Sequence, residues 1–429
     1  MLAMQLCENF CVHINIPQSE QKINDLIDIS YKLSRSFFQA FFAMIILRIQ
    51  EQELSRVLGN AWKPSQHVAA SWECPCCGSR YGFTRRGKRT RITKTSHGKV
   101  NYFLLQVTCN DCQKTFSPFP ALLGIDSRHQ LTPELEKKLC SIVKDVSFSK
   151  TAKIANLFCD LRLSPYTIHR VVQRYGEQAK IVEDLSTITS LESDSTKINA
   201  SANERGIDVH IALSLGGSSR KGERTTRKKT LAAIEVGRSP EKTKSLLKQS
   251  QVDQVVIDGH SGLERYIEDN QLPITVQRCL WHIPRTAVHM LYQDGLSAAA
   301  GRELVKSLRH FLFDGSLSVN DRLKKYDTLV DKFRTRNYTN TCTFFENARE
   351  KLFTYKQFAE QDLYGRTISV AERQMREINR RMENGSRWTP TGAQNLLTLK
   401  FIEELNPISY DYLWRTRKKR KSSFEVNLC

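Results

Sequence analysis

Apolar residues recur at three- and four-residue spacings from about residue 20 to 58, with Leu26, Ile29, Leu33, Phe37 and Phe41 along one line, which predicts an N-terminal helical segment within residues 1–66. Its most apolar run, Phe37 to Leu47, contains Gln39 and stops at Arg48. That is well short of the ~20 residues a bilayer crossing needs, so the stripe is expected to meet a core or a second copy of the chain. Three short helical runs occupy residues 126–182. Thr132-Pro133 opens the first, with Leu135, Leu139 and Ile142 inward; Ser149 caps the second, which carries Ala152, Ala155 and Phe158; Ser164-Pro165 opens the third after an LRLS turn. From 183 to 292 the pattern changes to short β-branched and aliphatic runs, GIDVHIALSLG, KKTLAAIEVG, QVDQVVIDG and LPITVQRCLW, which predict strands. Two helices alternate with them, SPEKTKSLLKQS (cap Ser239, then Pro240) and HSGLERYIEDN. Residues 293–355 read as wholly helical, 356–404 contain the helical SVAERQMREINRRM, and 405–429 form a tail with the basic run RTRKKRK at 415–421. The chain is expected to be a multidomain α/β protein.

Charge narrows the partner. Sixty-five lysines and arginines stand against 45 acids, a formal net charge of +20 over 429 residues. A solvated surface needs charge but not this imbalance, and a polyanion is the simplest counterpart. Twelve cysteines in a chain of this size need no disulfide staples, and four of them form two CxxC pairs, which suits bound metal in a reducing compartment. The expectation is a soluble, intracellular protein with no membrane partner.

The pairs Cys74–Cys77 and Cys109–Cys112 are separated by 31 residues. Zinc takes four tetrahedral thiolate or imidazole ligands, and two knuckles on tight turns supply them. With the basic loop RRGKRTRITK and the strand-like NYFLLQVTC between the knuckles, residues 67–125 are expected to form a zinc ribbon. Cys76 is a spare neighbour. The three helices of 126–182 fit a helix-turn-helix as well as any small bundle; the third is expected to expose Tyr166, Thr167, His169, Arg170, Gln173 and Arg174, residue types that reach phosphates and base edges.

Three acids stand out. Asp194 follows the strand-like STITSLES; Asp258 closes the apolar run QVVID and precedes Gly259; Glu372 lies beside a helical stripe of Ala371, Met375, Ile378 and Met382, with Asn379 two turns on. Carboxylates converging from such distant positions make a seat for divalent cations. A strand-end aspartate is equally a turn former and a helix glutamate is commonly solvated. Glu192, Asp208, Asp253 and Glu377 are rival carboxylates, so residue pattern alone leaves these readings level.

The succession Asp194-Ser-Thr, Ile-Asp258-Gly, Cys279-Leu-Trp-His282, Ser-x-x-Glu372 with Asn379-Arg-Arg, and GSRWTPTGA at 385–393 resembles the Mutator-like transposases of bacterial insertion sequences, over about residues 188–404. The resemblance implies a ribonuclease H-like mixed-sheet catalytic core (183–292 and 356–404) split by an all-helical insertion (293–355). It also implies a catalytic triad of Asp194, Asp258 and Glu372 holding two Mg2+ or Mn2+ ions, with Cys279 and His282 supporting the site. The 113 residues between Asp258 and Glu372 fit such an insertion. Ser195 departs from the glycine usual after the first aspartate. Arg380, Arg381 and Arg387 are expected to contact DNA near the site. Trp281 and Trp388 are expected either to stack on an unpaired base or to pack in the core.

The expected function is therefore a DNA transposase that binds terminal inverted repeats and target DNA, acts as a homodimer or larger in its synaptic complex, and works at the bacterial nucleoid in the cytoplasm. The competing readings are a sequence-specific DNA-binding regulator derived from such an enzyme and a nuclease on the same fold.

Overall fold

The structure is a computed structural model that describes residues 23–59, 68–123, 129–186, 188–201, 206–221, 224–249, 251–259, 262–358, 364–383 and 385–415. The basic run beyond Arg415 and the residues before 23 lie outside these. The chain divides into two compact units, Met1–Val171 with Trp414–Cys429, and Val172–Leu413.

The first unit is built on helix α1 (Ile23–Leu58) and a three-stranded antiparallel sheet, β1 (Phe83–Thr95), β2 (Gly98–Cys109) and β3 (Thr115–Phe116). Strand β2 alternates, burying Val100, Tyr102 and Leu104. Phe38, Phe42, Ile46, Leu54 and Val57 of α1 join the same core. The packed stripe is therefore not the one anticipated from Leu26 and Phe37, which stay exposed. The reason is local: β3 pairs only with Val107 and Thr108, so β2 keeps open backbone groups further back. Gln50 of α1 fills this gap, its amide donating to Phe103 O (2.9 Å) and accepting from Leu105 N (2.8 Å), much as a strand residue would. A short helix α2 (Phe119–Leu122) closes the sheet.

Helices α3 (Pro133–Val143), α4 (Phe148–Cys159) and α5 (Pro165–Gln178) follow, and the boundary between the units falls within α5. Thr132 caps α3 through Leu135 N, as its position before Pro133 predicts. The cap of α4 is Ser147 rather than Ser149, because Ser147 Oγ accepts from Lys150 N at 3.2 Å. Asn156 fixes the tight turn into α5 with paired bonds to Leu163, 2.7 Å from its N–H and 3.0 Å to its carbonyl.

The second unit holds a five-stranded sheet, β4 (Ser190–Ile198), β5 (Ile207–Lys221), β6 (Arg224–Val236), β7 (Gln254–Ile257) and β8 (Thr275–Arg278), in the order β6-β5-β4-β7-β8. β4, β5 and β6 pair antiparallel, whereas β7 and β8 run parallel to β4. The two helices expected from sequence are present as α6 (Glu241–Gln249) and α7 (Gly262–Asp269), and α7 makes the crossover from β7 to β8. A block of helices then builds its own core: α8 (His282–Gln293), α9 (Ala298–Leu304), α10 (Lys306–Phe313), α11 (Val319–Thr335) and α12 (Thr339–Arg349). It starts at His282, eleven residues before the predicted position, because Ile283, Ala287 and Leu291 already bury one helical face. A 3-10 turn (Thr354–Gln357) precedes α13 (Ser369–Met382), α14 (Pro390–Leu405) and α15 (Pro407–Arg415).

Helix α14 approaches α5 closely. A Cβ on Gly176 would lie 2.3 Å from Asn395 Cβ, so only glycine permits the contact. Among the described residues no helix is long and apolar enough to cross a membrane.

Candidate active site

One face of β4 reads Glu192, Asp194, Thr196, every second residue on the same side of the pleat. Helix α13 runs along it. Glu192 Oε2 accepts from Val370 N (3.0 Å) and Ala371 N (2.8 Å), and Thr196 Oγ1 donates to Asn379 Oδ1 (3.1 Å). Asp194 lies between these two anchor points, as Glu372 does on the helix. In β7, Val256 pairs with Glu192, so continuing the parallel register by two residues sets Asp258 beside Asp194 on that face. Burial pushes the Asp194 carboxyl up to about 7; the Ser195 N–H works against this, and the negative charges of Asp258 and Glu372 reinforce it. Asp194 thus feels the charge of both other carboxylates. Their mutual repulsion in a half-buried setting is what a bound cation relieves. They are not drawn as tightly together as the cysteines described below, the one group among the described residues whose ligand atoms all lie within 4.8 Å.

The turn carrying Asp258 is braced from behind. Gly259 has φ +102, and a Cβ there would sit 2.5 Å from Arg278 Nη1. Arg278 is itself buried, bonded to Glu264 Oε2 at 2.7 Å, and Lys351 joins Glu264 and Glu268. Gly259→Ala is expected to displace either Arg278 or Asp258 and to lower any Asp258-dependent rate by roughly 10²-fold, since shifts of about 1 Å at a reacting centre cost that much. Single-turnover kinetics on the folded variant measure it.

Cys279 and His282 both address the start of α13. The buried Cys279 Sγ accepts from Ile368 N at 3.3 Å, and His282 Nε2 lies 3.3 Å from Glu372 Oε1. Burial pushes the Cys279 thiol up to about 11, so without a cation it is a neutral bracing group. One turn past His282, Arg285 is close enough to Asp194 to oppose its upward shift. Sequence reasoning missed Arg285, although its i,i+3 spacing from His282 sets both on one helix face.

A family model for transposases of the Mutator family matches residues 76–391, which include Asp194, Asp258, Cys279, His282, Arg285 and Glu372. The chain belongs to the Mutator family of transposases. No curated protein matches it. In this Mutator-family transposase the GSRWTPTGA segment is an anchor. Trp388 exchanges backbone bonds with Asn199 and Ser201 beyond β4, and its indole N–H donates to Met382 O at 3.0 Å. Thr389 then caps α14 through Gly392 N.

Trp388 is accordingly core. Trp281 is half-exposed and lines a cavity of about 490 Å³ with Arg309, His310, Phe313 and Asp314. Of the expected DNA-contacting arginines, Arg380 and Arg387 are exposed, but Arg381 is buried with its guanidinium 5.2 Å from the Trp388 ring centre. It lies one turn after Ile378, on the buried side of α13, so it packs rather than projects. On α5, Tyr166 and Arg170 are exposed, Thr167 is half-buried, and His169 sits edge-on to Phe148. Gln173 faces α14, its carbonyl accepting from Asn395 Nδ2 at 2.7 Å. Arg174 is half-buried, with its guanidinium 5.2 Å from the Tyr175 ring centre. The exposed set on α5 is therefore smaller than the sequence predicts.

In the first unit, Cys74, Cys77, Cys109 and Cys112 converge, with Sγ–Sγ distances of 3.5 Å (Cys74–Cys112) and 3.6 Å (Cys77–Cys109). Tetrahedral thiolates about 2.3 Å from zinc stand about 3.8 Å apart, so the donor set fits that ion. Burial raises the Cys74 thiol, but the N–H groups of Cys77 and Cys76 outweigh it and leave the pKa at about 7. Cys112 is pushed up to about 12: the Lys114 N–H lowers it, while burial and the neighbouring thiols prevail. Full deprotonation of the four needs a cation. Cys76 is exposed and is not among the four.

Proposed function

We propose that this chain is a DNA transposase that binds the terminal inverted repeats of its element and catalyses metal-dependent strand cleavage and strand transfer. The observation that carries the reading is the meeting of Asp194, Asp258 and Glu372 from β4, the end of β7 and α13. A ribonuclease H-like core is supported by the mixed sheet, with three antiparallel strands continued by two parallel ones, and by the helical block interposed before Glu372. Helices α3 to α5 act as a helix-turn-helix that presents Tyr166, Thr167, His169 and Arg170 to DNA, and the cysteine cluster holds structural zinc.

Asp194, Asp258 and Glu372 would hold two Mg2+ or Mn2+ ions, which supply activation of the attacking oxygen and stabilisation of the leaving one. Water adds to the scissile phosphorus, the bond to the 3′ oxygen breaks, and the strand leaves with a free 3′-hydroxyl opposite a 5′-phosphate. That hydroxyl then attacks a target phosphate and displaces its 3′ oxygen, conserving the number of phosphodiester bonds. His282 orients Glu372, and Cys279 fixes the backbone that precedes it. Arg380 and Arg387 add phosphate contacts, in keeping with the +20 charge. Synapsis of two ends calls for a homodimer or larger, and the enzyme works on cytoplasmic, nucleoid-borne DNA.

The test is a labelled DNA fragment carrying the element's flanking repeats, incubated with the full chain and Mg2+ or Mn2+. Release of 3′-hydroxyl ends and their joining to target is the expected result. Specific binding without cleavage in either metal would leave a DNA-binding regulator instead.

A further inference from the structure

Helix α13 begins without a cap of its own. Ile368 stands at the N-cap position, its side chain offers no acceptor, and no side-chain cap bond forms. The first N–H groups of a helix have no partners within it, and leaving them buried and unpaired is costly. Here they are taken up from elsewhere in the fold. Glu192 accepts Val370 N and Ala371 N through one oxygen, and Cys279 Sγ accepts Ile368 N. Glu192 is 1% exposed, so its oxygens are out of reach of bulk water and the helix N–H groups are partners for them.

The next residue after this clamp is Glu372, and two residues along β4 from Glu192 is Asp194. One rigid strand therefore carries both an acid of the site and the grip on the helix that delivers a second. The Thr196–Asn379 bond fixes the helix again two turns later. We propose that Glu192 is a positioning residue that sets the placement of Glu372 against Asp194 by capping α13 from the neighbouring strand. The inference rests on the proposed reaction for its catalytic consequence, but its structural part stands independently of that reaction.

The test uses the full chain with Glu192→Ala, Glu192→Gln and Glu192→Asp. In the metal-free protein, amide exchange at Val370 and Ala371 is expected to quicken at least tenfold in the alanine variant. Cleavage should lose at least tenfold in kcat with KM for end DNA unchanged, and the Mg2+ concentration for half-maximal rate should rise. Glutamine keeps an acceptor oxygen and should restore most of the protection and rate. Aspartate keeps the charge but falls short of the two N–H groups and should behave like alanine.

Unchanged exchange in the alanine variant, or wild-type kcat despite faster exchange, overturns the proposal. So does a glutamine variant that keeps its protection yet is as inactive as alanine, which would make Glu192 a direct metal ligand. If the alanine variant does not fold, the glutamine–aspartate contrast decides. Failure of the wild type to cleave in either metal refutes the proposed reaction and with it the catalytic role, while the exchange measurement still decides whether Glu192 clamps the helix.

Discussion

Replacing Asp194 with asparagine is expected to abolish metal-dependent cleavage and, in the same protein, to raise the stability of the metal-free state. The two effects have one cause. Asp194 is half-buried and faces Asp258 and Glu372, so without a cation its ionised form is disfavoured, and burial moves its pKa from 3.8 up to about 7. A carboxyl whose folded pKa lies above its unfolded value contributes fully to stability below about pH 4, and that contribution is lost as pH rises through 7. That difference corresponds to roughly 4 kcal/mol once both states are ionised. Asparagine does not ionise, so its advantage in chelator-treated protein should be absent near pH 4, grow to about pH 7, and level off above. Urea titrations of both proteins at pH 4, 6 and 8 measure it. Mg2+ at pH 8 should narrow the gap by stabilising the wild type more than the variant, because the variant keeps only two of the three carboxylates. Cleavage should fall by roughly 10³-fold or more, as loss of an ion worth several kcal/mol in the transition state implies. A variant that is stabilised but active would remove Asp194 from the catalytic set, and one that is inactive without any pH-dependent stabilisation would refute the account of its burial.

How much of this site is legible in the sequence depends on the range of the forces involved. Asp258 is readable because a continuous apolar strand ends there and a glycine follows; the structure adds that Gly259 is needed by Arg278, twenty positions beyond Asp258. The two cysteine knuckles are readable from spacing alone, since tight turns fix their ligands locally. Glu192 is not. In the sequence it is a rival carboxylate two residues from Asp194, and only the arrival of a helix 178 positions later makes it a cap. Arg381 and Gln173 fail for the same reason. Arg381 is a charged residue on the apolar side of its helix, covered by Trp388, and Gln173 is met by Asn395 from a helix more than 200 positions later, a contact that no local pattern encodes. The face used by α1 was also hidden, because the demand for Gln50 comes from open backbone groups on β2 rather than from the helix itself.

Stripping the metal from the cysteine cluster is expected to unfold the ribbon and abolish binding to the element's ends, while the second unit stays folded. The sheet of the first unit is small, and its core of Trp72, Phe83, Val107 and Phe119 surrounds the ligand-bearing turns, with Cys74 and Cys109 buried among them. Structural zinc in such modules contributes on the order of 10–16 kcal/mol to folding. That matches or exceeds the roughly 5–15 kcal/mol by which a whole domain is stable, so the fold should not outlast the ion. The second unit has separate cores in the sheet and in the helical block and contains none of the four ligands. Chelation, or Cys109→Ser, should therefore leave two populations in amide exchange: rapid exchange across β1, β2 and the Ile46–Val57 part of α1, and unchanged protection in β4, β7 and α13. End binding should drop to the nonspecific level, and readded Zn2+ should restore it in the chelated wild type but not in the serine variant. Retention of β1–β2 protection after complete metal removal would mean that the apolar core alone holds the ribbon, leaving the thiols free for another role.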